Sequence, residues 1–166
     1  KIFIEKEYGY TENRFFEVFD FPIVKGSSKE PFGPGFTVIL SESMAKKYFG
    51  SENPIGKIIG FSDTTVQVSA VMKDFPASSS LQFDMLVSME MIRKKLDGNG
   101  EWKNTDEDWS NFQYTTFCVM KPGGDRVKAS KIIREGMLKA NKESSVIEFP
   151  FRALKEIYLY NADGTK

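Results

Sequence analysis

The alternation of apolar and polar residues predicts a series of short strands in the first half of the chain. Residues 36–40 are almost entirely apolar and rich in β-branched side chains, which is typical of a strand buried on both faces. Residues 65–73 alternate instead, and this pattern predicts one strand face made of Val66, Val68, Ala70 and Met72. The same criteria indicate further strands at 1–7, which we expect to be ended by residues 8–10, and at 23–24, 57–61 and 81–87.

Capping residues precede the predicted helices of this half. Ser41 precedes a stretch whose apolar residues fall on one helical face, and Gly50 supplies the left-handed residue that ends it. Asn13 is expected to cap a short, phenylalanine-rich helix that ends before Pro22. A third helix is predicted over 89–96.

The second half of the chain is predicted to place one long helix among strands. Asp125 is expected to cap a helix that extends to about Asn141. Cys118 falls within a predicted strand, where we expect a small buried side chain rather than a nucleophile. The βαβ order is similar to half of a ferredoxin-like module, so the sequence predicts an α+β fold. The strands are predicted at 112–120, 146–151 and 154–159.

Composition and charge exclude several classes of function. The 166 residues contain 23 basic and 23 acidic side chains, so the chain lacks the positive charge that nucleic-acid binding requires. It has no histidine, which excludes Ser-His-Asp and Cys-His catalytic sites and histidine-containing zinc sites. One cysteine can form neither an internal disulfide nor a cysteine-rich metal site. We therefore predict no catalytic residue, no metal and no cofactor.

The sequence contains no run that approaches the roughly 20 apolar residues of a membrane-spanning helix. It begins with Lys1 rather than methionine and shows no signal peptide. We therefore expect a fragment or processed product of a longer protein, itself soluble.

Two motifs suggest ligand sites at first sight. Residues 50–57 are similar to a phosphate-binding loop, but five residues separate the glycines where that loop has four, and Ile58 replaces the magnesium-binding Ser or Thr. We interpret them as a helix end followed by a turn. The acidic residues 106–108 lie in a polar loop without the glycine and glutamate positions of a calcium-binding loop. A catalytic pair of carboxylates stays open, because the distance between two carboxylates depends on the tertiary structure.

Three segments carry a family resemblance. They are 13–22 (NRFFEVFDFP), 38–57 (VILSESMAKKYFG leading to NPIGK) and 68–88 (containing VMKDFP and LQFDMLVS). In this order and spacing they resemble the extracytoplasmic core domain of MacB/FtsX-type ABC-transporter permeases, in the form common in Bacteroidetes-like bacteria. The resemblance covers residues 11–90 closely and 112–160 more loosely. Family members often have Asn-Ser-His where this chain has Ser78–Ser80, so a role for that histidine does not transfer.

The resemblance implies a two-lobed periplasmic core domain. An inserted small α/β lobe would comprise about 22–90, and a ferredoxin-like βαβ lobe would comprise about 1–21 and 112–160. The second lobe would be incomplete, because the family domain usually begins with a further strand and helix.

The family resemblance also implies a function that is not catalytic. The domain would couple ATP-driven motion to export, or to the handling of substrates or lipoproteins, on the periplasmic side of the bacterial inner membrane. The implied partners are an ABC ATPase subunit or domain, a second permease copy and a periplasmic adaptor or lipoprotein, with no nucleic acid.

Two alternatives stay open on the residues alone. One is a small secreted or periplasmic hydrolase with two carboxylates, of which one has a raised pKa. The other is a free-standing binding module. Trp102 and Trp109 lie in an acidic loop at 97–111, where their rings either pack against the domain or contact a partner.

Overall fold

A computed structural model describes residues 7–97, 114–140 and 148–157. The chain divides into two compact units, residues 1–103 and 104–166.

The first unit is built on a six-stranded mixed sheet. The strand order is β1-β6-β3-β5-β2. Strand β4 also pairs with β5, on the same edge as β2 but along the part of β5 that β2 leaves unpaired. The β1/β6 and β3/β5 pairs are parallel, whereas the other pairs are antiparallel. The elements are β1 (Tyr8–Thr11), α1 (Phe15–Val18), β2 (Ile23–Lys25), β3 (Thr37–Ser41), α2 (Glu42–Phe49), β4 (Ile58–Phe61), β5 (Thr64–Met72), β6 (Met85–Ser88) and α3 (Met89–Asp97).

Strand β3 lies at the centre of this sheet, and all of its residues are buried. Its predicted burial on both faces is therefore confirmed. Val38 and Leu40 contribute to one core cluster, and Ile39 contributes to a second on the opposite face. A strand that packs apolar side chains on both faces needs the continuous apolar pattern that the sequence shows.

The predicted single face of β5 is wrong because the strand contains a register shift. Val38 of β3 pairs with Val68, but the next residue, Ile39, pairs with Ala70, so Ser69 is the extra residue of a bulge. The bulge reverses the alternation from that point. Val66 and Val68 share the first cluster with Val71, whereas Ala70 and Met72 belong to the second.

The two faces of the sheet are covered in different ways. Helix α2 contributes Met44 and Ala45 to the first cluster, and α3 contributes Met91. The opposite face is covered by phenylalanine side chains, which we call the aromatic layer. Its members are Phe15, Phe16, Phe19, Phe21, Phe32, Phe75 and Phe83, linked by ring contacts with centroid distances of 4.2 to 6.4 Å.

Two features of the amino-terminal segment differ from those predicted. Residues 8–10 form most of β1 instead of ending a strand, because they pair with Met85–Val87 of β6. The helix after Asn13 is confirmed as α1, but Asn13 does not cap it. The Asn13 side-chain oxygen instead accepts the Phe32 N–H at 2.9 Å, which holds the loop after β2 beside α1. Residues 1–6 of the first predicted strand lie outside the described residues.

The second unit contains α4 (Arg126–Ala140) and α5 (Leu154–Ile157). The predicted cap is confirmed, since Asp125 Oδ1 accepts the N–H groups of Val127 and Lys128 at 2.9 and 3.1 Å. The predicted strands are not found in the described residues of this unit. Residues 114–120 and 148–153 are irregular, and α5 occupies part of the strand predicted at 154–159. A strand forms only where a neighbour completes its ladder, and the described residues here supply none.

The α+β fold class is confirmed by the mixed sheet and its helices. The division into lobes at 22–90 and at 1–21 with 112–160 stays a prediction.

Gly26 is predicted to be required by the contact between β2 and β5. Its φ is +93°, and an added Cβ would lie 2.6 Å from the Ser69 carbonyl oxygen. Gly33 has a φ of +62° and no atom within 4 Å of the same position, so it is a matched control. We expect Gly33→Ala to cost about 1 kcal/mol for its backbone conformation and Gly26→Ala about 2 kcal/mol more for the clash. Urea unfolding of both variants measures this difference, and equal losses would contradict the contact.

Candidate functional site at the carboxyl ends of β3 and β5

The parallel strands β3 and β5 end side by side, and the residues that follow them are joined by Asp74. Ser41, the last residue of β3, pairs with Met72 at the end of β5. Ser43 and Asp74 each lie two residues beyond these strand ends. Asp74 Oδ1 accepts the Ser43 N–H at 2.9 Å, and Oδ2 accepts the Ser43 hydroxyl at 2.6 Å. Ser41 Oγ accepts the Met44 N–H at 3.2 Å, which confirms it as the helix cap. Asp74 therefore acts as a second cap of α2, supplied from another strand.

The electrostatics of this junction favour an ionised carboxylate. Partial desolvation raises the pKa of Asp74, but hydrogen bonds from Ser43, Ser41 and the Glu42 backbone together lower it by more. The net result is a pKa below the ordinary value. A carboxylate at the amino-terminal end of a helix is also favoured by the helix dipole. Both oxygens are occupied by these donors, so the junction is a structural clamp.

Phe75, the residue after Asp74, connects the aromatic layer to this junction. The Phe75 ring lies 4.2 Å from the Phe21 ring and 5.8 Å from the Phe83 ring. On the other side of Asp74, the Lys73 N–H donates to the Pro22 carbonyl at 2.9 Å. The Lys-Asp-Phe-Pro stretch thus contacts the end of the first family-like segment and caps the helix of the second. Segments that are far apart in sequence meet at one point of the fold.

The Asn-Pro-Ile-Gly-Lys turn is hydrogen-bonded to the middle of β5. Gly56 N–H donates to the Val68 carbonyl, and Val68 N–H donates to the Lys57 carbonyl, both at 2.8 Å. The Lys57 ammonium pairs with Glu52 and lies 5.0 Å from the Phe49 ring centroid. The hydrogen bond from Lys57 lowers the pKa of the Glu52 carboxyl. Since Lys57 is held by these internal partners and Gly50 ends α2, the interpretation as a helix end and turn is confirmed.

A third polar contact fixes the loop between β2 and β3 to α3. Glu90 accepts the Gly35 N–H at 3.1 Å through one oxygen and pairs with Lys94 at 2.8 Å through the other. The Lys94 hydrogen bond, followed by the Gly35 N–H, lowers the pKa of Glu90. Lys94 also lies 5.4 Å from the ring centroid of Phe36, which precedes β3. The loop is therefore held at both sides, by Asn13 at Phe32 and by Glu90 at Gly35.

The residues singled out from the sequence are not brought together in the described structure. Trp102 and Trp109 lie outside the described residues, as do the acidic residues 106–108. Cys118 is exposed, so its expected burial is wrong. The reason is that residues 114–120 form no strand whose one face would be covered. Ser78 and Ser79 lie in a turn that the Ser79 N–H closes by donating to the Pro76 carbonyl.

The described ranges are 7–97, 114–140 and 148–157. In these ranges, histidine, cysteine and acidic side chains form no group of three that would hold a metal ion. No helix there combines the length and the apolar character needed to cross a bilayer.

Sequence reasoning missed Asp74, Asn13 and Glu90 as the residues that tie segments together. Each of them bonds a residue 19 to 55 positions away. No local signal marks such a partner, because capping rules consider only neighbouring residues. The Asp-Phe-Pro sequence that begins at Asp74 was visible only as part of a family-like segment.

The fold and the junction define an α+β domain whose polar side chains are used to hold its own segments together. The sequence matches the family described as the MacB-like periplasmic core domain over residues 6–135. This match covers most of the chain, so the chain belongs to that family, as the resemblance implied. The comparison with curated proteins gave no match.

Solved structures agree at the level of the fold. A domain of a permease protein from Porphyromonas gingivalis has a TM-score of 0.57 and 21% identity, over 86% of this chain and 64% of that one. The present chain therefore spans less than two thirds of that domain. The periplasmic region of MacB from Actinobacillus actinomycetemcomitans has a TM-score of 0.39 and 24% identity, over 54% of this chain and 40% of that one. The extracellular domain of the ABC-type transporter YknZ from Gram-positive bacteria has a TM-score of 0.41 and 22% identity, over 58% and 52%. Both of these scores are low, so the shared fold depends on the first structure.

Removing the Asp74 carboxylate is predicted to destabilise the domain in a pH-dependent way. Asp74→Ala leaves the Ser43 N–H and hydroxyl without their acceptor, and we expect a loss of about 1 kcal/mol at pH 7. Because the folded-state pKa is lowered, this stabilisation is complete above the unfolded-state value, about 3.9, and is lost as the pH falls through the folded value. Urea unfolding at neutral pH and at about pH 3 measures this change in stability.

Asp20→Ala is the matched control for that measurement, since Asp20 is an exposed aspartate that precedes a Phe-Pro pair, as Asp74 does. It should unfold at nearly the same urea concentration as the original chain at both pH values. A stability difference between Asp74→Ala and the original chain that does not shrink at low pH would show that the carboxylate charge is not the cause.

Proposed function

We propose that this chain is the non-catalytic periplasmic domain of an ABC-transporter permease. Its function is to couple ATP-driven motion, produced in the cytoplasm, to export or to the handling of substrates or lipoproteins outside the membrane. The observation that carries the proposal is the family match over residues 6–135. The fold shared with the permease domain from Porphyromonas gingivalis supports it.

The internal construction of the first unit is suited to transmitting movement. A coupling domain must move as a body, and a body of this kind needs its helices and loops fixed to its sheet. Asp74 fixes α2, Glu90 fixes the loop before β3, and Lys57 pairs with Glu52 in the turn after α2. These contacts support rigidity of the unit.

The carboxylates of the described residues support a role other than hydrolysis. A hydrolase with two carboxylates needs one with a raised pKa to donate a proton. In the described part of the chain, the carboxyl groups whose pKa clearly departs from the ordinary value all have it lowered; they are Glu52, Asp74 and Glu90. Each of them is hydrogen-bonded to a protein donor.

The proposed partners are those of an assembled permease. They are an ABC ATPase subunit or domain, a second permease copy, and a periplasmic adaptor or lipoprotein. The domain would stand at the periplasmic side of the inner membrane, with two lobes at about 22–90 and at about 1–21 with 112–160. Flanking membrane helices in the complete gene, and an ATPase encoded in it or beside it, are the first observations that the proposal requires.

Coupling is tested by a distance measurement that uses the native cysteine. Cys118 is the single cysteine among the 166 residues and is exposed, so it accepts a spin label. In the complete permease, reconstituted with its ATPase and with other cysteines replaced by serine, we expect ATP to shift the distance between the Cys118 labels of the two copies. An ATPase variant that cannot hydrolyse ATP should not cycle between the two distances.

A control pair within the first unit separates coupling from general loosening. Ser28→Cys and Ser51→Cys, both exposed, are introduced together with Cys118→Ser. The distance between these labels within one copy should not change with ATP. An inter-copy distance that stays the same during ATP turnover, or a complete gene without membrane helices, would contradict the proposed function.

The proposed partner contact through Trp102 and Trp109 has its own test. If the rings contact a partner, Trp102→Ala and Trp109→Ala should keep the unfolding temperature of the domain while transport by the complete permease falls. If the rings pack against the domain, each substitution should instead cost about 3 kcal/mol of stability. Unchanged stability together with unchanged transport would exclude both roles.

A further inference from the structure

Three aromatic side chains join β1 to β4, although these strands are not neighbours in the sheet. The ring centroid of Phe61, at the end of β4, lies 5.3 Å from that of Tyr8 and 6.3 Å from that of Tyr10 in β1. The centroids of the two tyrosine rings lie 6.0 Å apart. All three pairs meet edge to face, with interplanar angles of 84° to 89°. We call these three side chains the aromatic clasp.

The clasp requires the sheet to curl. In the order of hydrogen-bonded strands, β6, β3 and β5 lie between β1 and β4. In a flat sheet, four strand spacings of about 4.8 Å would separate β1 from β4 by about 19 Å, which is too far for two rings to touch. Tyr10 and Phe61 both pack against the first core cluster. The sheet therefore curls around this cluster, and the clasp closes the curl.

Strand β1 depends on side-chain contacts more than the central strand does. Among the described strands it pairs with β6 alone, whereas β3 pairs with both β5 and β6. Tyr8 and Tyr10 share one face of β1, because alternate residues of a strand do so. On the other face, an added Cβ at Gly9 would lie 2.8 Å from the Phe83 ring. Aromatic rings thus hold β1 on both faces, and the clasp connects it to β4.

The clasp lies at the border between the first core and the solvent. Tyr8 is 44% exposed, and Tyr10 and Phe61 are half-buried, whereas all of β3 is buried. Separation of these rings therefore leaves the centre of the sheet covered. Local openings of this kind need less free energy than global unfolding. An edge-to-face aromatic pair also stabilises beyond the area that it buries, so the clasp opposes such an opening.

We propose that the aromatic clasp makes β1 and the β4–β5 hairpin open as one cooperative unit. Coupling between two elements that share no backbone ladder requires packed side chains that connect them, and the clasp supplies these. The inference goes beyond the proposed function, because it concerns the energetics of the first unit and holds with or without a permease. Within a permease, the clasp would let a displacement of β1 reach the far side of the sheet.

Amide hydrogen exchange of the 166-residue chain, followed by mass spectrometry of its peptides, tests this coupling. Phe61→Leu removes the ring and keeps an apolar side chain. We expect exchange in β1 to become about threefold to tenfold faster relative to exchange in β3, because the tyrosines lose their edge-to-face partner. Exchange in β2 should not change, since β2 pairs with the same strand as β4 but carries no clasp residue.

Phe49→Leu is the matched control. Phe49 is another half-buried ring on the first core cluster, and it contacts Tyr48 and Lys57. Its substitution should leave exchange in β1 unchanged relative to β3.

Substitutions of Tyr8 test the coupling in the opposite direction. Tyr8→Leu should speed exchange in the β4–β5 hairpin, and it is the second test if Phe61→Leu does not fold, because Tyr8 is mainly at the surface. Tyr8→Phe keeps the ring and should leave the hairpin unchanged. In the Tyr8→Leu chain, adding Phe61→Leu should speed exchange in β1 by a smaller factor than in the original chain, since one ring contact is already lost.

Three results would overturn the proposal. They are unchanged exchange in β1 of Phe61→Leu, equal acceleration in Phe61→Leu and Phe49→Leu, and an effect of Phe61→Leu that is the same with and without Tyr8→Leu. The last result would show that the rings contribute separately. The distance measurement at Cys118 is independent, since the exchange of the isolated chain and the ATP-driven shift can each fail while the other is observed.

Discussion

The parallel pairing of β3 with β5 is the constraint on which the rest of the first unit depends. Every residue of β3 is buried, and β5 is the strand that also pairs with β2 and β4. Because the two strands run in the same direction, their carboxyl ends lie at one edge of the sheet. Asp74 can therefore reach the start of α2, which directly follows β3. A change of register between these strands would separate Asp74 from Ser43 and remove the second cap.

The bulge at Ser69 divides the apolar residues of β5 between two cores. Val66, Val68 and Val71 pack under the helices, whereas Ala70 and Met72 pack under the aromatic layer. Both faces are thereby filled by one strand, and a sheet covered on both faces can support helices on one side and the phenylalanine layer on the other. The close approach of Gly26 to the Ser69 carbonyl lies at the same bulge, so β2 is seated where the alternation changes.

Three carboxylates act as clamps within the first unit. Asp74, Glu90 and Glu52 each have a protein partner, and their pKa values are lowered and not raised. Carboxylates that are held in this way stabilise a body and are poorly suited to exchange protons.

The sequence by itself determined the local elements: the buried β3, the Ser41 and Asp125 caps, the Gly50 helix end and, through three segments in register, the family. These features depend on neighbouring residues, whose spacing is visible in the sequence. Only the tertiary structure decided the bulge at Ser69, the use of Asn13 and Asp74 as long-range acceptors, and the exposure of Cys118. Each of these features depends on which distant segment lies alongside. The neighbouring strand sets the alternation of a strand, the distant donor decides what a side chain caps, and the segment packed over a thiol decides whether it is buried.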